Sequence, residues 1–539
     1  MNTSKNILAG ICSMMAVSML VGACTKLKDK NYDAIISDQF TPQASDLVSL
    51  VGPAYGSWRG LMGFGGSNFF RTQEVSADLV VIPARPYGWV DDGSYRRLHE
   101  HTWTNTDGTT GNWGAAYNGI TNCNRVIYQI ESGTIPVEVG KENTLAELRA
   151  LRASFYWALC DIFGNVPIVT RFDVEDGFLP EQNTRQEVYD FIVSEITEVM
   201  PLLSDEVSKT WYARFNKWAA TALLAKMYLN AGVYSGTPQW EKCIEACDAI
   251  INSGKFSLET TQKALFATNN EGARETIFAI PYDELFAGGF SLHMETLHPE
   301  NQKTYNLQTS SWGGIVAIPQ HIDTYDPQDL RLKENWIQGQ QYSSSGVELK
   351  GGYGPFTGQP LNFINEVPGV DSTQEVHGYH LGKYEYKMGA RTDLSNDVPF
   401  FRYSDVLMMK AECLLRTGKA AEAAELVTQV RMRSFPDNPA KATVTGAQLE
   451  GGSSYDYGLR NYKQTTHEGG ADIQYGRMLD ELAWEFNQEA HRRQDLIRFG
   501  VFTKKSWLSH KPNGEYRTLM PIPASVINTN PKITQNPGY

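Results

Sequence analysis

Two kinds of hydrophobic patterning share this chain. In the first, apolar residues recur every three to four positions. Trp240, Cys243, Ile244, Cys247 and Ile250 form one stripe along Trp240 to Ile251, the spacing that places side chains on one face of a helix. The run from Asn216 to Asn230 is apolar almost all round, which predicts a central helix with neighbours on every side. A loop holding Gly232, Gly236 and Pro238 separates the two. The same design returns at Val406 to Arg416, followed by Gly418 and then Ala420 to Val430, where Ala420, Ala423, Ala424, Val427 and Val430 share a face. Leu145 to Phe163 and Gln186 to Leu203 read as further helices. Met478 to Phe499 closes the array, with Leu479, Leu482, Ala483 and Phe486 facing inward.

In the second kind, periodicity fades. Residues 52–118 and 281–400 are rich in Gly, Asn, Tyr, Trp and Pro. Irregular stretches of this length are usually functional or disordered, and their aromatic content argues against disorder. Helix–glycine turn–helix pairs with alanines at contact positions, which let backbones approach closely, resemble tetratricopeptide repeats. The predicted fold is therefore mostly α: a helical-repeat scaffold, mainly 145–260 and 400–500, under an irregular cap with a few short strands. Residues 24–539 are expected to form one domain.

The N-terminus decides the expected compartment. Lys5 is the only charge in residues 1–24, and Ile7 to Ala23 is apolar or small. That stretch is short and soon followed by Lys26, Lys28, Asp29 and Lys30, so it reads as an export signal over 1–23 rather than a membrane span. Val21, Gly22, Ala23 and Cys24 form a lipobox pattern, with Cys24 the expected lipidation site. Acyl chains there would anchor the protein to a leaflet.

Composition narrows the function. The net charge is −13 and no basic cluster exists, which argues against nucleic acid and anionic lipid surfaces as partners. The 12 Trp and 26 Tyr suit a carbohydrate binder. Five cysteines remain beyond Cys12 and Cys24; they lie in helical or apolar patterns and read as buried thiols, Cys243 and Cys247 included. The chain lacks G-x4-GK[ST], G-x-S-x-G and HExxH. His99 and His101 come nearest to a metal pair but have no spaced third ligand. Asp326 and Asp329 leave room for a structural calcium, a solvated turn being the plainer reading; no other cofactor is expected. Glu481, Glu485, Glu489, Arg492, Arg493 and Asp495 invite thoughts of acid–base catalysis. Their helical spacing fits an ion-pair network closing the scaffold better.

The ordered segments of the chain resemble the SusD/RagB family of outer-membrane nutrient-binding lipoproteins. They run RALRASFYWALCDIFGNVPIVT (Arg149 to Thr170), NKWAATALLAKMYLNAGVY, WEKCIEACDAIINSGKFSL, ETIFAIPYD (Glu275 to Asp283), IDTYDPQDLRL (Ile322 to Leu332) and DVPFFRYSDVLMMKAECLLRTG. LDELAWEFNQEAHRRQDLIRFG (Leu479 to Gly500) and the tail PIPASVINTNPKITQNPGY complete the set. The resemblance implies a tetratricopeptide-like scaffold with an irregular cap. It also implies a lipid anchor on the outer membrane facing the exterior, and capture of oligosaccharides, or in some branches peptides, for a SusC-like TonB-dependent transporter. Catalysis is not implied; glycoside hydrolysis is the rival class. One departure is that Thr25, Lys26, Leu27 and Lys28 follow Cys24 where surface lipoproteins of the group often carry acids.

Sugar binding needs flat apolar faces for pyranose C–H groups, flanked by carboxylates, amides and guanidinium groups. Residues 71–113 supply that mixture and resemble the family's ligand-proximal region. Asp78 and Arg85 are expected to bind hydroxyls, with Trp89 and Trp103 as stacking platforms; Asp91, Asp92 and Asn105 are weaker candidates. Tyr305 and Asn306 through Trp312, Gly313 and Gly314 form the expected opposite wall, since Trp312 sits among serines and glycines with little local core to join.

Overall fold

The computed structural model describes residues 47–64, 68–87, 89–137 and 139–539. The expected export leader, Cys24 and the segment after it lie outside these residues. The fold is mostly helical, as expected. Its main helices are α1 (Leu47–Met62), α2 (Phe69–Glu74), α3 (Ser94–His99), α4 (Gly111–Glu131), α5 (Lys141–Ile162) and α6 (Arg185–Val199). They continue with α7 (Lys217–Leu229), α8 (Trp240–Asn252), α9 (Tyr403–Arg416), α10 (Ala420–Arg431), α11 (Gly476–Phe486) and α12 (Arg492–Arg498).

The scaffold grows by packing each helix on the next: α4 on α5, α5 on α6, and α7 through α10 in series. α6 begins at a capping box, the Thr184 side chain accepting from the Glu187 backbone N–H while the Glu187 carboxylate accepts from Thr184. α7 is buried along nearly its whole length, as its all-round apolar sequence requires. On α8 the buried residues are Cys243, Ile244, Cys247 and Ile250. The five described cysteines are buried free thiols.

Two helices fall where the sequence pattern predicts irregular chain. α1 carries Gly52, Pro53, Gly56 and Gly60, all poor helix formers, and tertiary packing overrides that weakness. Ala54, Trp58 and Leu61 are sealed in the core, and the Trp58 indole donates to Ser154 Oγ at 2.8 Å. α4 holds Gly119, where an added Cβ would meet the Phe155 ring of α5 at 2.5 Å. The glycine that weakens the local helix signal is what lets the two helices touch, and Gly119→Val would force them apart.

Met478 to Phe499 is not one helix. It breaks between α11 and α12, where Gln488 and Ala490 take positive φ of 66° and 63°. The break turns Glu489 towards Arg402 and Lys383 in the interior, a satisfaction of buried charge that outweighs helix continuity.

Short strands assemble the cap. β1 (Val80–Val81), β3 (Val316–Ala317), β4 (Trp336–Ile337) and β5 (His380–Leu381) form an antiparallel sheet in the order β1-β3-β5-β4. β2 (Thr276–Ile280) pairs antiparallel with β6 (Val398–Arg402), which leads directly into α9. β7 (Gly458–Asn461) lies between β8 (Gln464–Thr465) and β9 (Trp507–Leu508). The β1–β3 pairing matters most, because it carries residues 82–95 and 305–315 to one place although more than two hundred residues separate them.

Candidate functional site

Trp89 leaves β1 through a loop and takes a left-handed conformation, φ 63°, uncommon for a bulky side chain and worth a physical reason. The reason is contact: its ring lies on Gly314, where a Cβ would stand 1.8 Å from it. Trp312, four residues before β3, meets the Trp89 ring edge-to-face, centroids 6.3 Å apart at 77°. Trp312 is 43 % exposed and Trp89 half-buried. Together they form a right-angled aromatic ledge, a geometry favoured by the ring quadrupoles.

The ledge is braced from behind. Tyr95 of α3 meets Trp89 at 5.6 Å and 87°. The Arg71 guanidinium of α2 lies 4.7 Å from the Tyr95 centroid and 5.9 Å from that of Trp89, and is itself paired with Glu295. Backbone N–H groups of Gly314 and Ile315 donate to the Glu295 carbonyl at 2.8 and 3.0 Å, and Trp312 N–H donates to Met294 O at 2.7 Å. On the other side the Tyr87 hydroxyl donates to Gly313 O at 2.8 Å. Burial pushes that phenol up to about 12, so it keeps its proton. Tyr87 rests on Tyr353 and His298, and the His298 ring contacts Glu375 at 3.1 Å. Burial also holds the imidazole below its ordinary value, against the pull of Glu375.

Other expected contacts need correction. Asp78 is wholly buried: Arg492 donates to its two oxygens at 2.6 and 2.8 Å, and the Tyr457 hydroxyl donates at 2.8 Å. That satisfied interior pair leaves no edge for a sugar hydroxyl. Trp103 is 1 % exposed and its indole donates to Tyr539 Oη at 2.7 Å, so it is a core residue rather than a platform. Arg85 is also buried, donating to the carbonyls of Gln374 and His377 at 2.9 Å each, and burial lowers its pKa. It fastens the cap from within. Asn105 is half-buried, its carbonyl accepting from Ala524 N–H. Tyr305 is half-buried against Tyr386, centroids 5.8 Å apart. Of the expected site residues, Trp89 and Trp312 are the pair brought into contact. Asp92, three residues after Trp89 in the chain, is exposed and lies 3.6 Å from Arg97.

Tyr87, Tyr95, Arg71 and Glu295 were not singled out as individual site residues by sequence. The usable signal was the Trp312-Gly313-Gly314 run, because consecutive glycines beside a tryptophan permit a ring to lie against backbone.

The Glu/Arg set is internal, as its spacing suggested. Arg402 donates to Glu275, Glu485 and Glu489 at 2.6–2.8 Å, and Arg433 donates to Glu275 and Glu485 at 2.6 Å. Arg331 reaches Glu485 at 3.3 Å, and Lys383 pairs with Glu489 at 2.5 Å. Every one of these side chains is buried except at the margins. Asp326 pairs with Lys441 at 2.7 Å and Asp329 with Arg331 at 2.7 Å. Among the described residues no group of three or more His, Cys, Asp or Glu is placed to hold a metal ion.

With this geometry the chain can be set beside known proteins. Residues 274–539 match the family model described as "SusD family", and residues 62–229 match "Starch-binding associating with outer membrane". The chain belongs to the SusD/RagB family. Among its relatives, it is 25% identical to "Starch-binding protein SusD" of Bacteroides thetaiotaomicron, over 88% of this chain and 86% of that one. It is 23% identical to "SusD-like protein P25" of Formosa agariphila, over 79% of each. Among solved structures, a "Laminarin binding SusD-like protein" superposes with a TM-score of 0.70 at 20% identity, covering 93% of this chain and 100% of that one. A surface glycan-binding protein of Bacteroides thetaiotaomicron in complex with laminarihexaose gives 0.69 at 18%, covering 91% and 99%. These superpositions establish the shared fold.

Proposed function

We propose that this protein is a non-catalytic, lipid-anchored glycan-binding protein of the outer membrane that captures oligosaccharide at the cell surface and delivers it to a SusC-like TonB-dependent transporter. The observation that carries the reading is the ledge. The exposed Trp312 indole packs edge-to-face on Trp89, and Trp89 is itself braced by Gly314, Tyr95 and Arg71, so the ledge is shaped before any ligand arrives. Preorganisation of this kind spares the ordering cost of binding, and a flat apolar face suits the C–H face of a pyranose ring. Relatives whose names record starch, laminarin or surface-glycan binding support the sugar class, and one matching family model is described as associating with the outer membrane. No described helix is long and apolar enough to cross a membrane, which is compatible with a lipid anchor at Cys24.

The carboxylates that a hydrolase reading would recruit, Glu481, Glu485 and Glu489, are each held by buried guanidinium or ammonium groups. A glycosidase needs one carboxyl acid and one carboxylate facing a cleft. The test is affinity electrophoresis and calorimetry against a polysaccharide panel with wild type, Trp89→Ala and Trp312→Ala. Retardation by at least one glycan, with affinity lowered about tenfold in both variants, is expected. Binding unchanged in both rejects the ledge, and reducing-sugar release by the wild type rejects the non-catalytic assignment.

A further inference from the structure

Away from the ledge, a concavity opens at the far end of α3. It has a volume of about 400 Å³ and is lined by Glu100 and Thr102, by Val370 and Asp371, by the β7–β8 hairpin, and by Lys511, Pro512 and Asn513. At its rim stands Tyr462, the turn residue of the hairpin, 56 % exposed. That ring is not loose. Its backbone N–H donates to Pro368 O at 2.6 Å, and its hydroxyl is 3.3 Å from Asp371 Oδ2. One side lies on Gly369, where a Cβ would come within 3.2 Å of the ring. Asn461 shapes the turn from inside, its Oδ1 accepting from the N–H groups of Lys463 and Gln464 and its Nδ2 donating to Leu508 O.

The lining chemistry selects a ligand class. Two carboxylates, Glu100 and Asp371, face two ammonium groups, Lys463 and Lys511, so the groove carries no net charge. Lys463 is already spent on Asp371 at 3.3 Å and lies 5.0 Å from the Tyr462 centroid. Exposed Thr102, Gln464 and Lys511 present a hydroxyl, an amide and an ammonium around the ring. This mixture of a fixed aromatic, neutral hydrogen-bonding groups and balanced charge matches a neutral sugar, and offers little to a phosphate or an acyl chain.

The groove is tied to the ledge by two short connections. α3 begins just after Trp89 and ends beside Glu100, and six helical residues span about 9 Å. The strand of chain from Val370 runs on to Glu375, whose carboxylate accepts from Tyr353 N–H at 3.0 Å behind Tyr87. Building on the glycan reading above, we propose that the Tyr462 groove is a second subsite for neutral oligosaccharide, engaging the same chain whose other end stacks on Trp312. Two linked subsites raise affinity for long chains through effective concentration, without improving affinity for short ones.

The test uses the intact protein with defined α-glucan, β-glucan, xylan and mannan oligosaccharides of roughly two to eight sugars, a length range set by the linkage argument. Calorimetry compares wild type with Tyr462→Ala/Gln464→Ala, both exposed positions. Within whichever series binds, the shortest ligand should bind both proteins equally, and the longest should bind the variant at least about fivefold more weakly. Hydrogen–deuterium exchange should show protection of the β7–β8 hairpin and of the 509–513 segment with long ligands alone. Equal affinities at every length, with protection confined to the Trp312 loop, overturn the groove and leave the ledge standing. Wild type binding none of the four series overturns the glycan reading and this inference with it.

Discussion

The ledge at Trp89 and Trp312 and the charged knot around Arg402 invert what their sequences advertise. The knot draws on Glu481 to Asp495, the stretch densest in catalytic-looking side chains, yet Glu485 and Arg402 are sealed inside and saturated by one another. The ledge draws on a serine- and glycine-rich loop, yet it holds an exposed ring in a braced position. Charges taken from water must be matched to persist, so a cluster of them with complete partners belongs to the interior. A large indole left in water forgoes the gain of burial, so Trp312, standing on a Trp89 ring that Gly314 and Tyr95 brace, marks a surface shaped for contact.

Breaking the knot should therefore cost stability, and breaking the ledge should cost binding. The largest effect is expected for Glu485→Ala, which strands Arg402, Arg433 and Arg331. A loss of about 3–5 kcal/mol in denaturant unfolding is predicted, with glycan affinity of the remaining folded protein unchanged. Next comes Glu275→Gln, on the order of 2–3 kcal/mol. Burial alone would raise the Glu275 carboxyl, but Arg433 and Arg402 outweigh it and hold the group down to about 2. Because the folded pKa is depressed, its contribution is complete above the ordinary carboxylate value and disappears as pH falls towards 2. The deficit of Glu275→Gln against wild type should thus shrink across that acid window; a constant deficit would break the ion-pair account.

Gly314→Ala sits between the two regions in kind. A methyl cannot coexist with the Trp89 ring in its present place, so about 1–3 kcal/mol of overpacking is expected, together with weakened binding as Trp89 is displaced. Trp312→Ala should be smallest in stability, within about 0.5 kcal/mol, while affinity falls about tenfold, roughly 1.4 kcal/mol. An equal loss of stability in Trp312→Ala would show that its indole is spent holding the cap.

Much of the scaffold was legible in sequence. The stripes of α7 to α10 and the inward set Leu479, Leu482, Ala483 and Phe486 predicted their burial, because a helix repeats its environment every 3.6 residues and an apolar face has one place to go. α1 escaped notice since Gly52, Pro53, Gly56 and Gly60 blur its helical signal, and α4 since Gly119 carries a packing role that only Phe155 reveals. The site was less legible. Trp103 and Trp312 stand in similar polar, glycine-bearing loops, but Trp103 is covered by Tyr539, 436 positions away, whereas Trp312 is left open.

Residue order alone determined the helical period, the family and the supply of aromatic and charged groups. Tertiary structure decided which indoles meet water, where Asp78 and Arg85 turn inward, and why the last long helix breaks at Gln488. Polarity and period are local properties of the chain, whereas exposure depends on what distant segments bring across the fold.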